Sequence, residues 1–503
     1  MRKEFVRVTP ESVGIHSAAI ERLLDVLESG FTEMHSIQIM RVGKICAEGW
    51  WSPYAPGIRH NLMSVTKAYA ATAIGIAYTQ GHLQLTDRII DIFPEEAPEK
   101  PSPFLQQLTI RDVLCMGCGM VHMPYPSVKW IRDFLATPVE YLPGSTFMYN
   151  SIGSSLLAAI IRRRTNYDLS NYLKEKLFDK IGIDAENLRW AYMPDGIAAG
   201  GAGLYATTED NLRLMKLYAD NGIVGGEQIL APDYFRLATS VQIDSSIQSV
   251  TYPFARDGVC GYGFQLWMCR PEGSYRADGA MGQFSIVLPK QSMLISITET
   301  GKGIDGPQKT LDALWEFLGE VTNDGPIPEN PMAACHLKDR LSRLSLPRPA
   351  YMPFSPYAAI VCGKTYRVTS GTLRLENPTL SRFCGVELSD GISEFRFSFV
   401  EKACYLHILQ DGIPHHLQIG LDGSRALNTL SIKQEVATIL YLSGAWQEES
   451  TLTVVARWVE TSFEKALAFH FEGDACIVTT HDPLDSYGPL GPLNESPVHT
   501  VSV

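Results

Sequence analysis

The chain lacks two features that would connect it with a nucleic acid or a membrane: an excess of positive charge and a long apolar run. Its 503 residues carry 43 Lys and Arg against 55 Asp and Glu, for a formal net charge of −12. Nucleic acids and anionic membranes both favour a basic surface, so we expect neither as a partner. The apolar run over residues 68–78 is too short to span a bilayer. Residues 1–7 alternate charged and apolar side chains, unlike a secretory signal, so we expect a cytoplasmic protein.

The chain also lacks the spacings of a disulfide framework or a metal site. Its ten cysteines are scattered, and the close pair Cys115 and Cys118 has no second ligand pair nearby. The histidines show no ligand spacing beyond the adjacent His415 and His416. Residues 301–306 match a Gly-x-Gly-x-x-Gly pattern, but a proline-rich stretch follows where a dinucleotide fold needs another strand. We therefore predict free thiols, no metal and no cofactor.

What the chain does contain is a serine and a lysine three residues apart, Ser64 and Lys67, at the start of a predicted helix. Helical spacing places both side chains on one face, within hydrogen-bond reach of each other. The alanine-rich run that follows predicts a helix buried on nearly all sides. A lysine there is either paired or shifted toward its neutral form, and either state suits a base that activates a serine nucleophile.

A tyrosine at a loop-to-helix junction is the second candidate. Tyr149 follows Pro143 and Gly144, and a helix is predicted over residues 155–164. A phenol beside a lysine can lose its proton at modest cost and serve as a base. The alternative is a core tyrosine whose hydroxyl is satisfied by the protein.

The order of predicted elements indicates an α+β protein. Strands occur near the start of the chain and again at residues 263–268, 284–289 and 292–298, and the residues between these two groups are mostly helical. This order predicts an antiparallel sheet flanked by helices beside an all-helical lobe. We expect three segments: a catalytic domain over residues 1–325, a proline-rich linker over 326–356, and a smaller all-β domain, sandwich or barrel, over 357–503.

Four segments in consistent order resemble the serine β-lactamase and penicillin-binding protein superfamily, near class C β-lactamases, family VIII esterases and 6-aminohexanoate-dimer hydrolases. They are the Ser-x-x-Lys of residues 64–67, the Tyr-Asn-Ser of residues 149–151, the glycine-rich residues 200–210, and the strand pair near residue 285. The resemblance covers about residues 10–322 and implies the β-lactamase fold.

The resemblance implies a role for each motif residue. Ser64 is the nucleophile that becomes acylated, Lys67 activates it, and Tyr149 carries the proton between Ser64 and the leaving group. Whether Lys67 or Tyr149 is the base stays open. The oxyanion is expected to lie between the backbone N–H of Ser64 and that of Ala280 on the cleft strand.

Two departures from the family pattern bear on the substrate. The family's second motif usually ends in an asparagine that binds the substrate amide; here Ser151 stands in that place, and Asn150 substitutes only if the turn differs. The third motif usually begins with Lys or His, which binds a substrate carboxylate, and here Ala277 stands there. These departures argue against an efficient β-lactamase or peptidase.

The residues around Ala277 carry further expectations. Arg276 is expected to face the other side of the strand. Gly279 permits a close approach of the backbone to the substrate. Asp278 is either a specificity residue or a turn aspartate.

We predict a serine hydrolase that cleaves a small ester or amide through an acyl-enzyme, with weak or no β-lactamase activity. The alternative is a catalytically weak protein of the same fold that binds a peptide, a cell-wall fragment or a partner protein. Turnover of any ester distinguishes the two.

Overall fold

The computed structural model describes residues 4–322, 325–349, 352–376, 383–400, 403–433, 436–481 and 496–503. The described residues within 1–345 and 382–385 form one compact unit, and those within 346–381 and 386–503 form a second. None of the described helices has both the length and the apolar character needed to cross a bilayer.

A six-stranded antiparallel sheet organises the first unit, with the strand order β2, β1, β11, β10, β9, β8. Three short strands form a separate small sheet in the order β3, β5, β4, and β6 pairs with β7. The strands are β1 (Thr32–Arg41), β2 (Lys44–Trp50), β3 (His60–Asn61), β4 (Arg189–Trp190), β5 (Leu204–Ala206), β6 (Ile223–Val224), β7 (Glu227–Gln228), β8 (Trp267–Met268), β9 (Tyr275–Gly279), β10 (Gln283–Leu288) and β11 (Met293–Gly301).

Helices pack on this sheet and form the helical lobe. Helix α12 packs against α1, β1 and β11, whereas α9 packs against β1, β10 and β11. Helix α6 contacts α2, α4, α5 and α7. The helices are α1 (Ser17–Leu27), α2 (Thr66–Thr79), α3 (Ile89–Ile92), α4 (Ile110–Leu114), α5 (Trp130–Ala136), α6 (Ser151–Thr165), α7 (Leu169–Leu173), α8 (Asp179–Ile181), α9 (Thr208–Ala219), α10 (Pro232–Ala238), α11 (Gln248–Thr251), α12 (Gly306–Phe317) and α13 (Pro331–Ser342).

Helix α2 lies in the core, as its composition predicts. Every residue from Thr66 to Ala77 is buried, including Lys67. Small side chains allow this packing: a Cβ on Gly75 would lie 2.4 Å from the ring of Tyr234 on α10. The helix thus brings a lysine into the protein interior, where an unpaired charge is costly.

Strand β8 is shorter than the strand predicted over residues 263–268. Gln265 has a φ of 57°, a left-handed conformation that interrupts extended backbone. Its side-chain amide donates to the carbonyl oxygens of Val113 and Leu114, at 3.1 and 2.8 Å. These contacts with α4 explain a conformation that the alternation of apolar side chains does not predict.

The second unit contains one helix, α14 (Tyr357–Val361), and a ten-stranded antiparallel sheet in the order β15, β14, β13, β12, β21, β20, β19, β18, β17, β16. Gly420, next to β15, forms a bridge with Ser443 of β17, so the sheet nearly closes into a barrel. The strands are β12 (Thr365–Ser370), β13 (Ile392–Val400), β14 (Ala403–Gln410), β15 (Ile413–Ile419), β16 (Ala426–Thr429), β17 (Ile439–Glu448), β18 (Thr451–Trp458), β19 (Phe463–Glu472), β20 (Ala475–His481) and β21 (Val498–Ser502).

The predicted fold class is therefore confirmed: an α+β unit followed by a mainly β unit. The range predicted as a proline-rich linker contains helix α13, whose first residue is Pro331. Proline is favoured at this position because its ring presets the helical φ and the first N–H needs no partner. The domain boundaries at residues 325 and 357 stay a prediction.

Candidate active site

Ser64 and Lys67 meet at the start of α2, as their spacing predicts. Ser64 lies in a 3-10 turn, Met63–Val65, and the distance from Lys67 Nζ to Ser64 Oγ is 2.8 Å. The preceding residue, Met63, has a φ of 47°, and its N–H donates to Asn61 Oδ1 at 2.9 Å. A left-handed non-glycine residue costs roughly 1–2 kcal/mol and persists only where its surroundings hold it, so this turn is set by the fold.

Lys67 Nζ has two further partners besides Ser64. It lies 3.0 Å from Ser151 Oγ and donates to the carbonyl oxygen of Gly201 at 2.6 Å. Burial lowers the pKa of Lys67 to about 7, while Cys384 of the same unit and Asp278 act in the opposite direction. A lysine with this pKa is neutral in a large fraction of molecules near neutral pH, so its nitrogen can accept a proton.

Helix α6 positions Ser151 beside Lys67. Ser151 is the first residue of the helix, and Asn150 caps it: Asn150 Oδ1 accepts a hydrogen bond from the N–H of Gly153 at 2.8 Å. Asn150 is buried, and its amide nitrogen lies 3.7 Å from Met120 Sδ. The Ser151 hydroxyl therefore contacts Lys67, and the side-chain oxygen of Asn150 is used as the helix cap. A role for either residue in substrate binding stays a prediction.

Tyr149 contacts Lys67 and belongs to a cluster of aromatic side chains. Lys67 Nζ is 4.8 Å from the centre of the Tyr149 ring. The ring stacks on Trp267 of β8, with centroids 5.7 Å apart and planes at 20°, and meets Tyr262 edge-on at 6.4 Å. The phenol is therefore held in a fixed place beside the amine.

Strand β9 approaches the Ser64 turn closely at Gly279. A Cβ on Gly279 would lie 2.4 Å from the carbonyl oxygen of Leu62, so only glycine fits there. Ala280 follows at the β9–β10 turn, where Met281 and Gly282 have positive φ values of 66° and 97°. The backbone N–H of Ala280 makes no hydrogen bond to any described residue, which leaves it available as a donor.

Arg276 and Asp278 share one face of β9, since alternate residues of a strand point the same way. Arg276 Nε donates to Asp278 Oδ2 at 2.8 Å. Arg276 stands opposite Trp267 in the β8–β9 pair, and its guanidinium carbon lies 5.9 Å from the Trp267 ring. Arg276 therefore lies on the strand face that leads through Trp267 to Tyr149, and Ala277 is buried on the opposite face. The two residues face opposite sides as expected, but the side toward Tyr149 is that of Arg276 rather than that of Ala277, because the pairing of β8 with β9 puts Trp267 beside Arg276.

The structure brings Ser64, Lys67, Tyr149 and Ser151 together from two separate segments, residues 64–67 and 149–151. Two other contributors were not singled out from the sequence, the Gly201 carbonyl and the Trp267 ring. Gly201 lies in the glycine-rich segment of residues 200–210, and a Cβ there would lie 2.3 Å from the carbonyl oxygen of Ser151. That segment was a usable signal for a close backbone approach, but nothing in the sequence marks Trp267.

Comparison with known proteins identifies the family. The Beta-lactamase family model matches residues 34–316, more than half of the chain. The chain belongs to the beta-lactamase family. The matched range includes all the candidate site residues, from Ser64 to Ala280.

Curated relatives and solved structures resemble this chain at low sequence identity. The 6-aminohexanoate-dimer hydrolase of Paenarthrobacter ureafaciens is 22% identical over 287 residues, covering 53% of this chain and 69% of the relative. Penicillin-binding protein 4 of Amycolatopsis lactamdurans is 25% identical over 300 residues, covering 51% and 76%. The octameric penicillin-binding protein homologue from Pyrococcus abyssi is a similar solved structure, 16% identical with a TM-score of 0.47, and the match covers 96% of this chain and 99% of that one.

The family and its hydrolase-named relative support a serine hydrolase of the beta-lactamase fold. No cluster of three or more His, Cys, Asp or Glu side chains arranged to hold a metal ion occurs among the residues that the structure describes.

Proposed function

We propose that this protein hydrolyses a small ester or amide through an acyl-enzyme on Ser64, with Lys67 as the base. The observation that carries the proposal is the environment of Lys67: three oxygen atoms within 3.0 Å of its nitrogen and a pKa lowered by burial to about 7. A neutral amine has two N–H donors and one lone pair. Gly201 O can only accept, so one N–H is committed to it.

The remaining bonds of the neutral amine favour proton transfer from Ser64. With a second N–H donated to Ser151 Oγ, the lone pair is left for the hydroxyl of Ser64, 2.8 Å away. Ser64 Oγ attacks the substrate carbonyl carbon as its proton passes to Lys67 Nζ. The N–H groups of Ser64 and Ala280 are the proposed donors to the oxyanion.

Collapse of the tetrahedral intermediate breaks the bond to the leaving group and leaves the acyl group on Ser64. The proton on Lys67 must then reach the leaving oxygen or nitrogen. Tyr149 and Ser151 both lie against Lys67 and are the two candidate carriers. In the second half of the reaction a water molecule attacks the acyl carbon, and the proton transfers run in the opposite direction. This step releases the carboxylic acid and regenerates Ser64.

The substrate is expected to lack the carboxylate that a β-lactam carries. Arg276, the cation on the strand face that leads to Tyr149, is buried in an ion pair with Asp278, and Ala277 is buried on the opposite face. A carboxylate in the cleft would therefore face Asp278 rather than a free cation. This arrangement supports weak or no β-lactamase activity.

The test is the hydrolysis of p-nitrophenyl butyrate by the wild type, by Ser64→Ala and by Ser342→Ala, an exposed serine used as the matched control. We expect the rate to disappear in Ser64→Ala alone, and a fluorophosphonate to label Ser64 in the wild type. Equal rates in all three proteins, without labelling, would exclude the acyl-enzyme and favour a binding protein of the same fold.

A further inference from the structure

Only one of the two carboxylate oxygens of Asp278 is hydrogen-bonded within the described part of the protein. Its Oδ2 accepts the hydrogen bond from Arg276 Nε at 2.8 Å, whereas Oδ1 has no hydrogen-bond partner among the described residues. The side chain is 24% exposed. An ionised carboxylate has acceptor sites on both oxygens, so Oδ1 retains its full capacity to bind a donor.

This carboxylate faces the reacting groups. It shares a strand face with Arg276, which stands opposite Trp267, and Trp267 stacks on Tyr149. Asp278 and Lys67 also act on each other: burial raises the pKa of Asp278, with the charges of Arg276 and Lys67 opposing, and Asp278 opposes the lowering of the Lys67 pKa. These effects agree with the contacts that lead from Asp278 through Arg276 and Trp267 to Tyr149, the ring beside Lys67.

The cation paired with Asp278 is the less accessible of the two. The Arg276 side chain is only 4% exposed, and its Nη1 donates to the carbonyl oxygen of Met268 at 3.0 Å. A molecule in the cleft therefore meets the open oxygen of Asp278 before it meets the guanidinium. A cationic donor can bond to this open oxygen directly, whereas an anionic group would need the guanidinium, which is almost fully covered.

Two acids close to Arg276 or to its neighbour Asp257 already have their carboxylate oxygens bound by other side chains. Asp257 is buried and accepts hydrogen bonds from Arg270, Gln308 and Trp315. Asp312 is paired with Arg256 and Arg270. Among Asp257, Asp278 and Asp312, Asp278 is therefore the acid that is partly exposed to solvent and has a carboxylate oxygen with no hydrogen bond from a described residue.

We infer that Asp278 binds a positively charged ammonium group on the substrate. The substrate class is then an ester or amide that carries an amine in addition to the bond cleaved. The inference rests on the proposed function, because it assigns the substrate of the same site. An ammonium N–H that donates to Oδ1 forms a charge-assisted hydrogen bond, which is stronger than a hydrogen bond between neutral groups.

The test compares esters that differ only in this charge. The p-nitrophenyl esters of β-alanine and butyric acid form one pair, and those of 6-aminohexanoic and heptanoic acid form a second with a longer reach. For each protein the readout is the ratio of kcat/KM for the charged ester to that for the neutral one. We expect a ratio of about 10 or more for at least one pair in the wild type, since a hydrogen bond to a charged group discriminates by that order.

Two variants separate charge from structure. Asp278→Asn keeps the shape and removes the charge, and the ratio should fall to about 1; Asp278→Glu keeps the charge and should retain most of the preference. The ratio is independent of any general loss of activity caused by disturbing the Arg276 pair. A wild-type ratio near 1 for both pairs, or a preference that persists in Asp278→Asn, would overturn the inference.

Failure of the proposed function gives a different result. In that case neither ester is hydrolysed and Ser64 is not labelled by a fluorophosphonate. Calorimetric titration of the wild type and Asp278→Asn with n-butylammonium then tests the site directly. Saturable binding that is lost in the variant supports the ammonium site, and equal or absent binding in both overturns it.

Discussion

At the scale of single residues, the decisive property of the site is that Lys67 is buried and yet retains three polar partners. Burial disfavours the ammonium form and lowers the pKa of Lys67 to about 7. The oxygens of Ser64, Ser151 and Gly201 satisfy the amine in either protonation state. The pKa of this proposed base therefore matches neutral pH, where general-base catalysis is most effective.

A pH profile tests this property. The proton-accepting form of Lys67 is the neutral amine, so kcat/KM for p-nitrophenyl butyrate should rise as pH increases through about 7 and level off above it. Below that pH it should fall by about tenfold per pH unit. The rate measured with Ser64→Ala at each pH gives the background hydrolysis, which is subtracted from the wild-type rate.

The matched variants are Lys67→Met, which removes the amine, and Lys338→Met, which removes an exposed lysine on α13. We expect the first to lose at least about 10²-fold in kcat/KM, since it removes the base, and the second to keep the wild-type profile. A wild-type rate that does not change between pH 6 and 8, or a fully active Lys67→Met, would contradict Lys67 as the base.

At the scale of secondary structure, the site depends on where two backbone segments begin and how closely they approach. Helix α6 starts at Ser151 because Asn150 caps it, so the cap fixes the hydroxyl that bonds Lys67. The Gly201 segment packs against the same helix end.

Replacing the cap should affect both stability and activity. We expect Asn150→Ala to lower the free energy of unfolding by about 1 kcal/mol, because the Gly153 N–H loses its acceptor. We also expect kcat to fall by about tenfold, since the first turn that carries Ser151 loosens. Denaturant unfolding and steady-state kinetics give the two values.

The control for this cap is Asp168→Ala, which removes the cap of α7, where Asp168 Oδ1 accepts from the N–H groups of Ser170 and Asn171. Its loss of stability should be similar, with kcat retained. Equal kcat values for Asn150→Ala and Asp168→Ala would show that the α6 cap has no special role in the site.

The close approach of Gly201 makes a second prediction. An added methyl group at this position would lie 2.3 Å from Ser151 O and 3.1 Å from Ser155 Oγ, so the backbone must shift and take the Lys67 acceptor with it. We expect Gly201→Ala to reduce kcat/KM by about 10²-fold, the order of loss for a displacement near 1 Å. Gly57→Ala, where the new Cβ meets nothing within 4 Å, should match the wild type. An active Gly201→Ala would mean that the carbonyl contact is dispensable.

At the scale of the whole molecule, the chain folds as two compact units, each with its own apolar core. In the second unit the core of the near-barrel includes Phe397, which is fully buried and meets Phe469 edge-on with ring centroids 5.0 Å apart. A chain with two cores need not unfold in a single cooperative step.

This organisation predicts a local response to a core mutation. Phe397→Ala should destabilise the second unit by about 3–5 kcal/mol, the usual loss for a buried aromatic side chain. Hydrogen exchange followed by mass spectrometry should show faster exchange over residues 392–481 and little change in α2. Val400→Ala, at the exposed end of the same strand, is the control and should leave exchange unchanged. Equal acceleration in both units would contradict separate cores.

The sequence alone determined the features that arise locally. The Ser64–Lys67 contact follows from helical periodicity, and the buried character of α2 follows from its lack of other charges. The α+β class followed from the order of strands and helices. The absence of a cation at Ala277 is likewise visible in the residues themselves.

Only the tertiary structure decided the features that join distant parts of the chain. Ser151 and Gly201 reach Lys67 from 84 and 134 residues away, and no local pattern reports such a convergence. The stacking of Trp267 on Tyr149 and the open oxygen of Asp278 likewise depend on how β8 and β9 pair. The physical reason is that periodicity fixes the direction of a side chain only within its own element. The pKa of Lys67 and the exposure of the Asp278 carboxylate are set by burial and by partners from other elements.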